Sequence, residues 1–269
     1  MPDTDDRMSR RFAVSTLGMP GVSVAEAVKT AAEHGCHGLE LRAHEDEAVH
    51  IGLTERESAL VRSRITDAGL EVACLAGYAK VCAPGPDEPV ITELRALIVL
   101  AHRIGAPSIR VFPGGDGRAH DRIAAVLDDL RTAGLRLLLE THDSHPTGEA
   151  ALAVVEPFGE PALVAVLWDA LHPWRSGEAP ATTRAVLGDY FGYFQVKDAI
   201  SAGDTTPVPP GEGAVPLGEC AELLRNWSGW ISLEWEKAWY PDIAGVATPL
   251  RAAAAWFEDL GTNVAPEAL

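Results

Sequence analysis

Residues 136–140 read RLLLE and residues 164–169 read VAVLWD, two apolar runs that each end in a carboxylate, Glu140 and Asp169. Runs this short and this apolar fit strands covered on both faces, as in a parallel sheet. Outward from them the same unit recurs: a short β-type run, a helical stretch, a Gly, then the next run. Eight such runs are predicted, at residues 12–16, 38–42, 71–77, 108–112, 136–140, 164–169, 193–198 and 230–235. They start roughly thirty residues apart, enough for a strand, a crossover helix and two loops.

Helix signals agree with that spacing. Ser23 with Glu26 and Thr54 with Glu57 read as capping boxes, a hydroxyl and a carboxylate three positions apart. Gly35, Gly69, Gly105 and Gly134 follow helical stretches, where a left-handed residue is cheapest. Eight strand–helix units without a long linker predict a single (β/α)8 barrel, the TIM barrel, with parallel strands over residues 11–269. Residues 1–10 are expected to form a disordered tail. A doubly wound open sheet fits less well, because no GxGxxG follows the first strand. Residues 81–89 and 199–216 are Pro/Gly-rich and read as loops over the barrel mouth.

Composition bounds the partners. The 269 residues carry 39 acids against 22 Lys and Arg, a formal charge of −17, with 47% apolar residues. Such a surface repels phosphate backbones and anionic headgroups, which opposes nucleic acid and membrane. No apolar run reaches membrane-spanning length, and the N-terminus lacks the apolar core of a signal peptide. Cys36, Cys74, Cys82 and Cys220 form no CxxC pair, as free thiols in a reducing cytoplasm would.

The strand ends carry the chemistry, since barrel loops that bind and react grow from them. Glu140 ends the fifth run, Asp169 the sixth, and Glu234 lies near the end of the eighth. Gln195 lies in the seventh, followed by Lys197 and Asp198. One acid at a strand end is commonly a helix cap or a solvated loop residue. Three of them on neighbouring units, each after an apolar run, instead predict a shared purpose. Buried carboxylates are costly unless paired or bound to a cation, so three of them with an amide oxygen predict a divalent metal site.

These motifs, in this order, resemble the xylose isomerase-like barrels, the sugar phosphate isomerase/epimerase group. The resemblance spans roughly residues 11–260 and rests on LETH at Glu140, WDALH at Asp169 with His172, VKD at 196–198, PGEG at 210–213 and LEWE at Glu234. It implies metal ligands at Glu140, Asp169 and Glu234, and a fourth on the seventh strand. There the family usually has His, and this chain has Gln195. As a ligand, Gln195 makes the site all-oxygen, favouring Mn²⁺ or Mg²⁺, with Co²⁺ or Zn²⁺ as alternatives. Otherwise Gln195 hydrogen-bonds a substrate and metal binding is weak or absent.

The resemblance further implies proton removal beside a carbonyl, with Glu140 and Glu234 as base pair. His172 and His142 are expected to polarise a substrate oxygen or to orient a carboxylate. Lys197 either neutralises a developing oxyanion or pairs with Asp198 or Asp169. Trp174 and Trp239, in loops, are candidates for stacking on a sugar face, and Arg175 for an anionic group. Trp168 and Trp235 are expected to face the helix layer as core. No Gly-rich phosphate cradle follows the eighth strand, which points to an unphosphorylated sugar or polyol.

Four readings follow. One is a divalent-metal isomerase or epimerase of a ketose or keto-polyol, in a homodimer or homotetramer. A second is a lyase dehydrating a keto-inositol or dehydroshikimate-like cyclic ketone; dehydration yields an ultraviolet-absorbing enone and isomerisation does not. A third, an abasic-site endonuclease, lacks a histidine at the end of the third strand and is opposed by the charge. The fourth is a barrel that has lost its metal.

Overall fold

The computed structural model describes residues 10–117 and 119–262. The tail expected over residues 1–10 lies outside them apart from Arg10. Eight strands close into one barrel: β1 (Arg11–Ser15), β2 (Gly38–Arg42), β3 (Glu71–Lys80), β4 (Ser108–Phe112), β5 (Arg136–Glu140), β6 (Val164–Asp169), β7 (Phe191–Val196) and β8 (Trp230–Leu233). Every neighbouring pair is parallel, and β8 returns to β1 to close the ring. An open doubly wound sheet is thereby excluded.

Helices cover the outside, among them Val24–Glu33, Glu55–Thr66 and Asp87–Ile104. Both capping boxes form, at Ser23 with Glu26 and at Thr54 with Glu57. Gly35, Gly69, Gly105 and Gly134 all have positive φ after their helices. Among the described residues no helix is long and apolar enough to cross a membrane. All four cysteines are free and buried.

Strand alternation splits the apolar residues into two layers. Leu137 and Leu139, Val164 and Val166, and Ile231 and Leu233 join Trp168 and Trp235 in the large core under the helices. Their alternates Leu138, Ala165, Leu167 and Tyr193 gather with Ala13, Ala73 and Cys74 in a second, separate cluster that plugs the barrel. The same inward phase, continued one step up each strand, reaches Glu40, Arg110, Glu140, Asp169, Gln195 and Glu234, all buried. An apolar plug thus lies beneath a polar ring. The chain has bought its charged layer with the burial of the aliphatic one, at about 1.5–3 kcal/mol per large side chain.

Some boundaries differ from the sequence reading. The seventh strand begins at Phe191 and ends at Val196, which leaves Lys197 just beyond it. The third runs on to Lys80, and residues 87–89 belong to the first turn of helix Asp87–Ile104 rather than to a loop. After β7, Asp198–Ala199 pairs antiparallel with Pro207–Val208. Asp198 does not pair with Lys197. Its carboxylate instead accepts hydrogen bonds from the backbone amides of Ala199, Gly211, Gly213 and Val215 at 2.9–3.0 Å. A Cβ on Gly213 would lie 2.3 Å from Asp198 Oδ1, so this clamp requires glycine there.

Candidate metal centre

Glu140, Asp169 and Glu234 converge at the C-terminal end of the barrel, with one carboxylate oxygen of each within 4.8 Å of the others. All three are buried. Glu140 ends β5, Asp169 ends β6, and Glu234 follows β8, so three different strands each deliver one acid to the axis. Asp169 is held by two backbone links: Leu171 N donates to its Oδ1 at 2.7 Å, and its own N donates to Thr141 Oγ1 at 3.0 Å.

Among the described residues, two cationic side chains serve this ring. Lys197 Nζ lies 2.7 Å from Asp169 Oδ2 and 2.9 Å from Glu236 Oε1, and also contacts Glu234 Oε2. Of the two acids expected as partners, Asp169 is the one it meets. Arg110 Nε lies 3.1 Å from Glu140 Oε2, and the guanidinium sits 4.0 Å over the Phe112 ring. Gln195 donates from Nε2 to Glu40 Oε1 at 3.0 Å and to Glu234 Oε1 at 3.1 Å. Its Oε1 is buried with no hydrogen-bond partner.

Burial sets the protonation of the ring. It pushes the Asp169 carboxyl up to about 7 against the pull of Lys197, and raises Glu140 well above the usual carboxylate range. Glu40 is raised for the same reason and by the Glu234 charge. Glu234 is also desolvated, but Lys197 and Arg110 outweigh this and hold it below its ordinary value. The Lys197 ammonium, desolvated too, is kept charged by Asp169, Glu234 and Glu236. The donor set fits a hard divalent cation: carboxylate oxygens and one orphaned amide oxygen, with more acids than bases.

The raised carboxyls make a pH prediction. An acid whose folded pKa exceeds its unfolded value binds more protons when folded, so it costs stability as pH rises from about 4 to about 7. A divalent cation replaces those protons. The melting temperature gained from Mn²⁺ is therefore expected to be larger at pH 8 than at pH 5. Differential scanning fluorimetry at both pH values reads this, and equal gains would count against the ring as the binding place.

A cavity of about 210 Å³ opens above the ring, floored by Glu140, Glu234 and Arg110 and walled by His142, Tyr78 and Trp239. His142 Nδ1 is 2.8 Å from Asp143 Oδ1, and its ring meets His172 edge-on with centroids 4.2 Å apart. Burial lowers both imidazole pKa values, that of His172 far more, so both are neutral at pH 7. With Glu140 they form a second group whose ligand atoms lie within 4.8 Å. Asp143 is the one non-glycine among the described residues with positive φ, a left-handed conformation that Asp adopts more readily than most residues.

The other expected pocket residues divide. Trp239 lines the cavity, half exposed, with the Arg42 guanidinium 5.0 Å over its ring. Trp174 instead packs half-buried against the outer core, and Arg175 is exposed; neither lines this cavity. Sequence reasoning missed Glu40 and Arg110. Their signal was one charged residue inside GLEL and inside SIRVF, at the inward phase of an otherwise apolar strand. Larger grooves exist near Arg95 and Arg62, but on the outer helix layer, away from the strand ends.

A closed parallel barrel with an acidic candidate cation site at its C-terminal mouth defines the class of fold and site. The chain belongs to the xylose isomerase-like TIM barrel family, whose model matches residues 28–260. No curated protein matches the chain in sequence. Among solved structures, the probable 3-DHS dehydratase AsbF, involved in petrobactin synthesis in Bacillus anthracis, is similar at TM-score 0.74 and 22% identity, over 94% of this chain and 100% of that one. The IOLI protein, solved with a bound zinc atom, gives TM-score 0.75 at 15% identity over 93% and 97%. D-psicose 3-epimerase, solved in the presence of D-fructose, gives 0.75 at 14% over 92% and 98%. At these identities the likeness is one of fold.

Proposed function

We propose that this protein is a divalent-metal-dependent isomerase or epimerase that removes a proton beside the carbonyl of a small ketose or keto-polyol. The observation that carries this reading is the group of three buried carboxylates, two of which, Glu140 and Glu234, line a cavity of about 210 Å³. Glu140, Asp169 and Glu234 would hold the cation, Mn²⁺ or Mg²⁺ by the hardness of the donors, with Gln195 Oε1 as the fourth protein ligand. Bound there, the cation supplies Lewis-acid stabilisation of the oxygen on which negative charge develops.

The chain's own groups do the rest. Glu140 and Glu234 reach the cavity from β5 and β8, so one can accept the proton while the other returns one from a different side. Lys197 holds Asp169 and Glu234 in place and offsets part of their charge. His142 and His172, being neutral, are suited to donate a hydrogen bond to a substrate oxygen. Trp239 offers a ring at the cavity wall for the C–H face of a sugar. Return of the proton to the same carbon from the opposite face is epimerisation, and to the neighbouring carbon isomerisation.

One observation favours a second reading, a lyase that expels a β-hydroxyl. Gln195 stands where the resemblance leads one to expect His, and a probable dehydratase is among the similar folds. Proton abstraction is common to both reactions, and the product separates them. Mn²⁺-loaded protein is incubated in D₂O with a panel of ketoses and cyclic hydroxy-ketones and followed by NMR and ultraviolet absorbance. Deuterium beside the carbonyl without a new chromophore supports the isomerase. A conjugated enone supports the lyase. No exchange and no turnover with any member, together with no bound metal, would overturn both.

A further inference from the structure

Glu40 has no part in the reading above, yet it is as enclosed as any acid of the ring. It lies at the centre of β2, fully buried, with the hydroxyls of Ser15 and Tyr193 beside it. Across the barrel axis it meets Gln195 of β7, whose Nε2 donates to Glu40 Oε1 at 3.0 Å and to Glu234 Oε1 at 3.1 Å. A primary amide has two protons on nitrogen and lone pairs on oxygen. Both Gln195 protons are therefore taken by carboxylates. Turning the amide over would set its carbonyl oxygen against those two acceptors, so the orientation has one solution. That solution leaves Oε1 buried and without a partner.

We propose that Glu40 is a positioning residue that locks the Gln195 amide with its carbonyl oxygen free to ligate the cation. The inference rests on the metal-centre reading and deepens it. Glu234 cannot do this alone, since its oxygens are themselves drawn to the cation, whereas Glu40 has no place in the carboxylate triad. The chain would then keep an oxygen ligand on the seventh strand only by holding an acceptor on the second.

The test compares Glu40→Leu, Glu40→Asp and Glu40→Gln with wild type in metal-free protein. Leu removes the acceptor. Asp keeps the charge but withdraws it by one methylene, and serves if the Leu variant fails to fold. Gln retains an oxygen that can accept the same bond. Calorimetric titration with Mn²⁺ is expected to show affinity lowered roughly 10–100-fold in the Leu and Asp variants, the usual effect of losing an orienting partner. The Gln variant is expected to stay within about threefold, well short of that orienting loss.

The Gln195 side-chain NH₂ resonances, assigned by their loss in Gln195→Ala, give a readout independent of metal. They are expected to be protected from solvent exchange in wild type and in Glu40→Gln, and to lose protection in the other two. Wild-type Mn²⁺ affinity in Glu40→Leu or Glu40→Asp overturns the proposal. So does a loss in Glu40→Gln as large as in Glu40→Leu, which would make charge the operative property. If wild type binds no Mn²⁺, the metal-centre reading falls. The amide resonances then still decide whether Glu40 holds Gln195, and unprotected wild-type resonances overturn that hold as well.

Discussion

Glu140→Gln is expected to reduce turnover on any ketone substrate by roughly 10³-fold, and Glu234→Gln by a similar factor, within the range for loss of a general base. Each change removes a base and exchanges a charged carboxylate ligand for a neutral amide oxygen while keeping nearly the same shape. Glu140→Gln carries an additional consequence, because Arg110 Nε lies 3.1 Å from that carboxylate in a fully buried setting. The guanidinium would keep its charge and lose its partner, so a measurable loss of stability accompanies the loss of rate. Steady-state kinetics with metal content measured on the same samples check this. Full activity in either variant would remove that residue from the base pair. Normal metal content with lost activity would separate proton transfer from cation binding.

Lys197→Met is expected to show the largest stability effect. Nζ lies against Asp169, Glu234 and Glu236, and the side chain is only 5% exposed. Removing one partner from a buried ionic cluster typically costs about 3–5 kcal/mol. In the variant, both acids would lose the charge that opposes their desolvation, so the folded pKa of Asp169 rises further and Glu234 loses the main charge that holds its own pKa down. Acids raised in this way leave stability intact below their unfolded pKa and lose it as pH rises. The deficit should therefore be near full size at pH 8 and much smaller near pH 4.5, and Mn²⁺ should recover part of it. Urea unfolding at both pH values measures this. A deficit under about 1 kcal/mol, the range of an exposed ion pair, or one equal at both pH values, would deny Lys197 its place as counter-ion.

The barrel was legible because its signal is repeated. RLLLE and VAVLWD are short, apolar and ended by acids, and the capping boxes and glycines mark helices at a regular spacing between such runs. Glu140, Asp169 and Glu234 could be found because each lies at or near the end of its run. Glu40 and Arg110 could not be found that way. Both sit mid-strand, and their meaning depends on which face of a five-residue strand points inward, a phase fixed only when the ring closes. The partners of Lys197 and Asp198 were equally out of reach. Adjacent in sequence, they diverge in space, one toward β6 and β8 and the other toward the amides of residues 211–215. Trp174 and Trp239 looked alike as loop aromatics, and only tertiary packing sent the first to the core and the second to the cavity wall.

The plug of Ala13, Ala73, Cys74, Leu138, Ala165, Leu167 and Tyr193 beneath the polar ring bears on the order of encounters. A low-dielectric floor lets field lines from the ring leave by the upper opening alone, where a protein of charge −17 adds its own potential. Seen from solvent, the mouth is a one-sided funnel that gathers cations and turns anions away. On the metal-dependent function proposed above, loading would thereby be ordered in time. The divalent ion would be drawn in first, and an oxygen-rich substrate would then meet a funnel whose sign had been softened. Raising ionic strength should slow the first encounter far more than the second.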